Sequence, residues 1–367
     1  MARMKVFVFD PIAAGRAPAR PLPQALRRQG EMLQQALLAD LGALSGVEVV
    51  TSVSPGAASR FGDMHVDADV DASMAMPGVD GAPVWPQIDE GTAMGAGMDA
   101  AAAQRMGRFG IHFAAGMLAA DAVWPLASES EASLEHVSRA VLHGKRILLG
   151  SAPGAVAVAA SKLALSRVLA EAGVAVVPTY SPHAGLPQDG GPWVVKPDDG
   201  AGCLDTRLFS DRAAALAWIR AHAADGHVLQ PFAPGTLGSL SLLCCDGSAR
   251  VLACNKERVA MRDNRFHFLG SVVNGLNDDD GALARLARQV AAAMPSLWGY
   301  VGVDFVLSAR GAMVLDVNPR LTAAYAGLHA STGCNPAGLV LDLLNSAAAM
   351  GAPVPMRRAV SVDVGTP

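Results

Sequence analysis

Residues 299–321 read GYVGVDFVLSARGAMVLDVNPRL. Two apolar runs flank Ser-Ala-Arg-Gly, and each carries one acid, Asp304 and Asp316, with Asn318 just after the second. The alternation, the Val and Leu content and the break between the runs predict a β-hairpin. With its turn centred near Arg310, Asp304 lies opposite Asp316 and Gly302 opposite Asn318. Side chains repeat every second residue along a strand, so the three polar groups share one face. Like charges directly opposite each other on neighbouring strands are destabilising. Open solvent would relieve the repulsion, as on the wet face of an antiparallel sheet; so would a cation. Two Asp and one Asn form an oxygen-only set that suits Mg²⁺, which completes its shell with water and substrate phosphates. The cation reading therefore needs phosphate-binding groups elsewhere in the chain.

At 367 residues the chain is long enough for two or three packed units. It is 51% hydrophobic with only 5% aromatics, so its core is expected to be aliphatic and alanine-rich. A net charge of −4 argues against a nucleic-acid partner, which would want a basic face. No clearly apolar run is long enough for a membrane span, and the start, MARMKVFVFDP, reads as a strand and a proline without the length of a signal peptide. The five cysteines are odd in number and lack C-x-x-C spacing, which argues against a disulfide framework and a zinc site. Buried thiols in a cytoplasmic protein are the expectation.

KVFVFD, the helical pattern 24–44 and VEVVTSV follow in strand–helix–strand order, the mark of a parallel α/β unit. The intervening loop lacks G-x-G-x-x-G, so no dinucleotide fingerprint is present. Residues 54–104 yield no firm element. A helix running into a strand, a helix over 130–143 and the strand KRILLG complete a first unit ending near residue 150. Ser161 is placed to cap the next helix and Gly173 to end it, before a strand VAVVP. Strand, glycine loop and strand (PWVVKPDDGAGCLDTRLF), a helix and the strand HVLQPF make a small α+β unit. A hairpin turning at Asp246-Gly247, a helix near 281–294, the opening hairpin and a helical stretch NPAGLVLDLLNSAAAM follow.

Lys196 ends a strand beside the loop DDGAG, where glycines let backbone N–H groups approach phosphate oxygens. The spacing is not that of a Walker-type loop, and a solvated surface lysine fits the same residues. Lys162 lies in the first turn of its helix, where a cation opposes the macrodipole by about 0.3–1 kcal/mol. An anionic partner would resolve that conflict, and so would exposure to water. The segment VLQPFAPGTLGS offers backbone groups to an adenine edge or serves as a linker. Lys256, Arg258 and Arg320 complete the basic set. Arg320, two residues past Asn318, is either a salt-bridge partner of the acids or a clamp for an anionic substrate.

In this order the features resemble the ATP-grasp superfamily of carboxylate–amine ligases. Four motifs over roughly residues 150–345 carry the resemblance: ASKLALSRVLAEAGV with Lys162, WVVKPDDGAG with Lys196, the hinge LQPFAPG, and GVDFVL followed by VLDVNPR. The resemblance implies an α/β ATP-grasp fold. Its parts would be an N-terminal α/β domain over 1–150, a small lobe over 151–230, a large lobe over 231–350 and a tail over 351–367. It makes Lys162 and Lys196 ligands of the ATP phosphates, with Lys196 and Arg320 catalytic. The backbone at Gln230, Pro231 and Phe232 would hold adenine, with Lys256 also on the nucleotide. Asp304, Asp316 and Asn318 would bind one or two Mg²⁺, or Mn²⁺ in its place.

Within the superfamily the chain looks most like the tyramine–glutamate ligase group of methanofuran-type cofactor synthesis. KVFVFD, LPQALRRQGEML, PLASESEASLEHVSRAV, LLGSAPGAVAVAASK and NPRLTAAYAGL support that likeness. It implies glutamate joined through its side-chain carboxylate to tyramine, or to tyrosine where a methylofuran-type cofactor is made. Glu129 is a candidate for the amine, and Arg27, Arg28 and Arg258 for an α-carboxylate. The partners expected are small molecules, without nucleic acid or membrane, and a homodimer is the assembly carried as an expectation. The chain departs from the superfamily in three places. Asp316 stands where Glu is usual, the hinge has no acid to reach ribose, and Ser161 replaces a frequent Asp. The rival readings are a ligase for another acid and amine, such as two amino acids, and a non-catalytic ATP-sensing module.

Overall fold

The structure, a computed structural model, describes residues 3–14, 23–51, 110, 112–187, 191–224, 226–351 and 354–365. The difficult segment 54–104 lies outside them.

Strand β1 (Met4–Phe9) is an unbroken apolar run buried from Val6 to Phe9, as expected of a strand covered on both faces. Its side chains alternate between two cores. Val6 and Val8 pack with Leu33, Leu37 and Leu41, a helical stripe on α1 (Gln24–Gly42). Phe7 and Phe9 pack with Phe113 and with Val137 and Val141 of α2 (Ser133–His143). Parallel pairing of β1 with β2 (Val47–Thr51) and β3 (Ala122–Pro125), and of β3 with β4 (Ile147–Leu148), gives the order β2-β1-β3-β4. Helix α1 also docks the first unit on the rest of the chain. Asp40 accepts from Asn335 Nδ2 through its carbonyl at 2.7 Å, and its carboxylate lies 2.6 Å from His329 Nδ1.

Beyond α3 (Pro153–Ala160), Ser161 caps α4 (Lys162–Glu171) by accepting from Ala164 N–H at 3.1 Å, and Gly173 ends it at φ +75°. Strands β5 (Trp193–Pro197), β6 (Arg207–Phe209) and β7 (His227–Pro231) form a small antiparallel group backed by α5 (Arg212–Ala221), which Asp211 caps. The larger group contains β8 (Thr236–Cys245), β9 (Ser248–Arg262), β10 (Arg265–Val273), β11 (Gly299–Ser308) and β12 (Gly311–Asn318). Helix α6 (Ala282–Ala293) packs Leu283, Leu286 and Val290 with the inward residues of β8 and β11. Helices α7 (Tyr325–Thr332) and α8 (Pro336–Asp342) and strand β13 (Val360–Asp363) follow. The sheet order is β12-β11-β8-β9-β10-β6-β5-β7, with β13 also on β10. The small and large groups are joined in that order by a single pair, Arg265 with Arg207, so the sheet is narrow where the cavity opens.

Three expectations change. VAVVP makes only an isolated bridge, Val176 to Val314, and Pro178 has no N–H to extend the ladder. The last helical stretch breaks after Asp342, where Asn345 and Ser346 turn back to its carbonyl before a 3₁₀ turn at Ala347–Met350. Asn and Ser compete with helical hydrogen bonding in this way. Strand β9 runs on to Arg262 and reverses into β10 through Asp263 and Asn264, both at positive φ, the backbone of a tight hairpin. Among the described residues no single helix is long and apolar enough to cross a membrane; α3 and α4 reach that length and composition only together, bent by 106° at Ser161.

Candidate active site

The hairpin β11–β12 pairs Asp304 with Asp316 and Gly302 with Asn318, but through a bulge. The turn is the two residues Ala309 and Arg310, since Ser308 pairs with Gly311, and an unbroken ladder would set Asp304 opposite Leu315. Leu315 is the extra residue. A bulge leaves one residue unpaired and bends its strand, so Leu315 and Asp316 both line the same cavity of about 320 Å³. Gly302 leaves the space across from Asn318 for Thr322, whose methyl would lie 2.5 Å from an added Cβ.

Facing the hairpin across the cavity are Lys162 and Lys196. Lys162 is 6% exposed; its Nζ donates to the carbonyls of Gly200 (2.8 Å) and Asp198 (3.2 Å) and lies 3.5 Å from Asp316 Oδ2. The partner that a cation in a first helical turn invites is therefore present. Asp198 does more: its carboxylate accepts from Leu163 N–H at 2.9 Å and its carbonyl from Lys162 N–H at 3.2 Å. The glycine loop after Lys196 is thus tied to the start of α4. Gly202, at φ +64°, presses against α1, where an added Cβ would sit 2.8 Å from Leu26.

Burial, then the nearby charge of Lys162, brings the Lys196 ammonium down to about 8. Burial, then the charges of Glu257 and Asp316, pushes the Asp304 carboxyl up to about 7, against the hydrogen bond it accepts from Asn318 Nδ2 at 3.0 Å. Burial also raises Glu257, although its Oε1 accepts from Ser239 (2.5 Å) and Ser271 (3.2 Å). Burial pushes the Cys203 thiol, on the same wall, up to about 12, which makes it a poor nucleophile. Asp304 and Asp316 are thus two acids opposed in the ladder, one already driven toward neutrality, with the Asn318 amide beside them. Its Nδ2 is toward Asp304 and its Oδ1 toward Arg320, so its oxygen would join a cation once the amide turns over. That donor set fits a hard divalent cation, whose charge would remove the penalty. Among the described residues no cluster of three or more His, Cys, Asp and Glu forms a separate metal site.

Arg320 lines the cavity between two anchors. Its Nε donates to Glu129 Oε2 at 2.6 Å and its Nη2 to Asn318 Oδ1 at 3.0 Å. Both partners of the ion pair are largely buried. Side-chain contacts therefore run without a break from Glu129 through Arg320 and Asn318 to Asp304. Glu129, a candidate for the amine, is engaged by Arg320 through Oε2, while its Oε1 is buried without a hydrogen-bond partner among the described residues.

At the hinge, Gln230, Pro231 and Phe232 line the cavity with Ala233, and Phe232 is 38% exposed. Phe232 N–H donates to Pro192 O at 2.9 Å, continuing the β5–β7 ladder, so it is not free for a base edge. Ala233 N–H, beyond the strand, makes no backbone hydrogen bond among the described residues. Lys256 is a correction: it is exposed and off the cavity wall, while its neighbour Glu257 is on it. A bulge between β8 and β9 leaves Leu252 without a partner and shifts the outer half of β9 by one residue, which exchanges faces. Arg258 pairs with Asp363 and donates to Val362 O at 3.1 Å, and Arg27 and Arg28 are exposed. None of the three lines the cavity. Among the cavity residues that sequence reading missed are Glu257, Cys203, the Thr322–Ala324 segment and Gln29 of α1.

Residues 159–324 match an ATP-grasp domain and residues 89–156 a pre-ATP-grasp domain. Among solved structures, an ATP-grasp superfamily protein of Archaeoglobus fulgidus is 20% identical with a TM-score of 0.66, covering 98% of this chain and 92% of that one. An L-amino acid ligase of Bacillus licheniformis is 15% identical, TM-score 0.57, covering 93% and 74%. A D-alanine–D-alanine ligase of Bacillus anthracis is 12% identical, TM-score 0.56, covering 94% and 96%. The search of curated proteins gives no match. At these identities the structural likenesses establish the fold, and the chain has the ATP-grasp fold.

Proposed function

We propose that the chain is an ATP-dependent ligase that joins a carboxylate to an amine through an acyl phosphate. One observation carries the reading: a buried lysine and a half-buried one face two opposed acids and an asparagine across a cavity whose other end is an apolar hinge. Lys162 and Lys196 bind the ATP phosphates, and Ala233 N–H meets the adenine edge between Pro231 and Val306. Asp304, Asp316 and Asn318 would hold a divalent cation, Mg²⁺ in this reading, which supplies Lewis-acid neutralisation of phosphate oxygens when bound. Arg320, pre-set by Glu129 and Asn318, stabilises the charge that develops as an oxygen of the substrate carboxylate takes the γ-phosphoryl. The amine then attacks the acyl carbon, phosphate leaves and an amide remains. The protein's share is positioning and fixed charge.

The acid is glutamate, reacting through its side-chain carboxylate, and the amine is tyramine or tyrosine, for a methanofuran- or methylofuran-type cofactor. The sequence motifs quoted above support that choice. A ligase for two amino acids is the second reading, favoured by the likeness in fold to an L-amino acid ligase. Incubation with ATP, Mg²⁺, glutamate and a panel of amines tests both. Phosphate release with tyramine or tyrosine supports the first reading, and release only with amino acid pairs supports the second. ATP binding without release under any pair would sink the ligase reading in favour of a sensing module.

A further inference from the structure

Two acceptor oxygens on the cavity wall are left over by the chemistry above. Glu257 Oε2 and Gln29 Oε1 are buried atoms with no hydrogen-bond partner among the described residues, and both side chains line the cavity. Ser239 and Ser271 hold the other carboxylate oxygen of Glu257 at 2.5 and 3.2 Å, so its direction is fixed from two neighbouring strands. Gln29 arrives from α1 of the first unit, so both units contribute to the cavity wall. A buried acceptor without a donor costs about 1–3 kcal/mol. Two such acceptors, one of them a carboxylate, match a group that has only donors and a positive charge, and an ammonium is that group. Of the cavity's two ammonium groups, Lys162 is already engaged with Asp198, Gly200 and Asp316, and Lys196 is assigned above to the ATP phosphates.

We infer that Glu257 and Gln29 seat the amino group of the acceptor substrate, a primary amine. Position supports this. Ser239, to which Glu257 is bonded, pairs directly with Asp304 across the β8–β11 ladder. An amine held there lies one strand from the acid at the phosphoryl-transfer end, where it must attack. The use made of the amine rests on the ligase reading; its binding does not.

The test uses the full chain with Mg²⁺ and a non-hydrolysable ATP analogue. Tyramine, L-tyrosine and L-alanine are titrated calorimetrically, each against the same molecule lacking its amino group. At least one amine should bind about 10- to 100-fold more tightly than its isostere. Glu257→Gln, which keeps an oxygen for the two serines, should erase that difference, and Gln29→Met should reduce it, with Mn²⁺ still bound in both and its affinity unchanged in Gln29→Met. The inference is overturned if no amine is preferred, if the preference survives both variants, or if Glu257→Gln weakens Mn²⁺ binding and spares the amine. Phosphate release is read separately. An amine preference without turnover removes the ligase reading and keeps the seat, whereas turnover with a preference that survives the variants does the reverse.

Discussion

Glu129 Oε2 lies 2.6 Å from Arg320 Nε and so links a loop of the first α/β unit to the strand end that carries Asn318. Removing one partner of a buried ion pair leaves an uncompensated charge, at about 3–5 kcal/mol. Both groups retain some exposure, so Glu129→Ala should cost roughly 2–3 kcal/mol in urea denaturation. Glu129→Gln, which retains an acceptor for Nε, should cost less. Because Arg320 acts after ATP is bound, kcat should fall in Glu129→Ala while the KM for ATP holds. An unchanged kcat would reduce the contact to a structural one.

Asp316 is opposed to Asp304 and lies 3.5 Å from Lys162. Asp316→Asn removes a charge from the cation site and leaves Lys162 without its carboxylate. Transition-state stabilisation should drop by more than about 3 kcal/mol, roughly two orders of magnitude in rate. Near-normal phosphate release in this variant would remove the metal assignment.

Lys196 in the free protein titrates at about 8. Phosphate oxygens favour its charged form, so nucleotide affinity should be level below that pH and decline above it. At about pH 9 binding should take up protons, visible by calorimetry in buffers of different ionisation enthalpy. Lys196→Arg, charged throughout, should show neither effect. Wild-type affinity that stays flat through the alkaline range would return this lysine to a passive role.

Asp304 carries a folded value of about 7, raised from 3.8. The sign is that of a raised group: its stabilising contribution is full below the unfolded value and is lost as pH rises through the folded one. Metal-free protein should therefore lose on the order of 3 kcal/mol from this group between acid and neutral pH. Mg²⁺ should restore it at pH values above about 7. In Asp304→Asn both the loss and the rescue should vanish, as read from urea midpoints with and without chelator. A wild-type midpoint insensitive to Mg²⁺ at alkaline pH would contradict the assignment.

The hairpin was legible because its signals are local: alternation, turn residues and two acids at matching distances. Even there the pairing of Asp304 with Asp316 arises from a bulge at Leu315 and not from the position of the turn. The capping role of Ser161 lies within one helical turn and depends on little else. Lys256 and Glu257 show the limit. Which of two neighbours faces the cavity depends on a bulge at Leu252 that no composition signal marks. Gln29 was out of reach for another reason: its place is set by the docking of α1 through Asp40 onto residues nearly 300 positions away. Glu129 was noticed as an acid near substrate, but its partner follows Asn318 on a distant strand.

The two lysines hang from one support. Asp198 follows Lys196 by two residues, fastens both the backbone and the side chain of Lys162, and is itself moored to Gly226 through its N–H. The two lysines are therefore coupled through the backbone: a shift of the glycine loop that left Lys162 behind would break its bonds to Asp198 and Gly200 together. Phosphates of a bound nucleotide would meet the Lys162 ammonium already held in place.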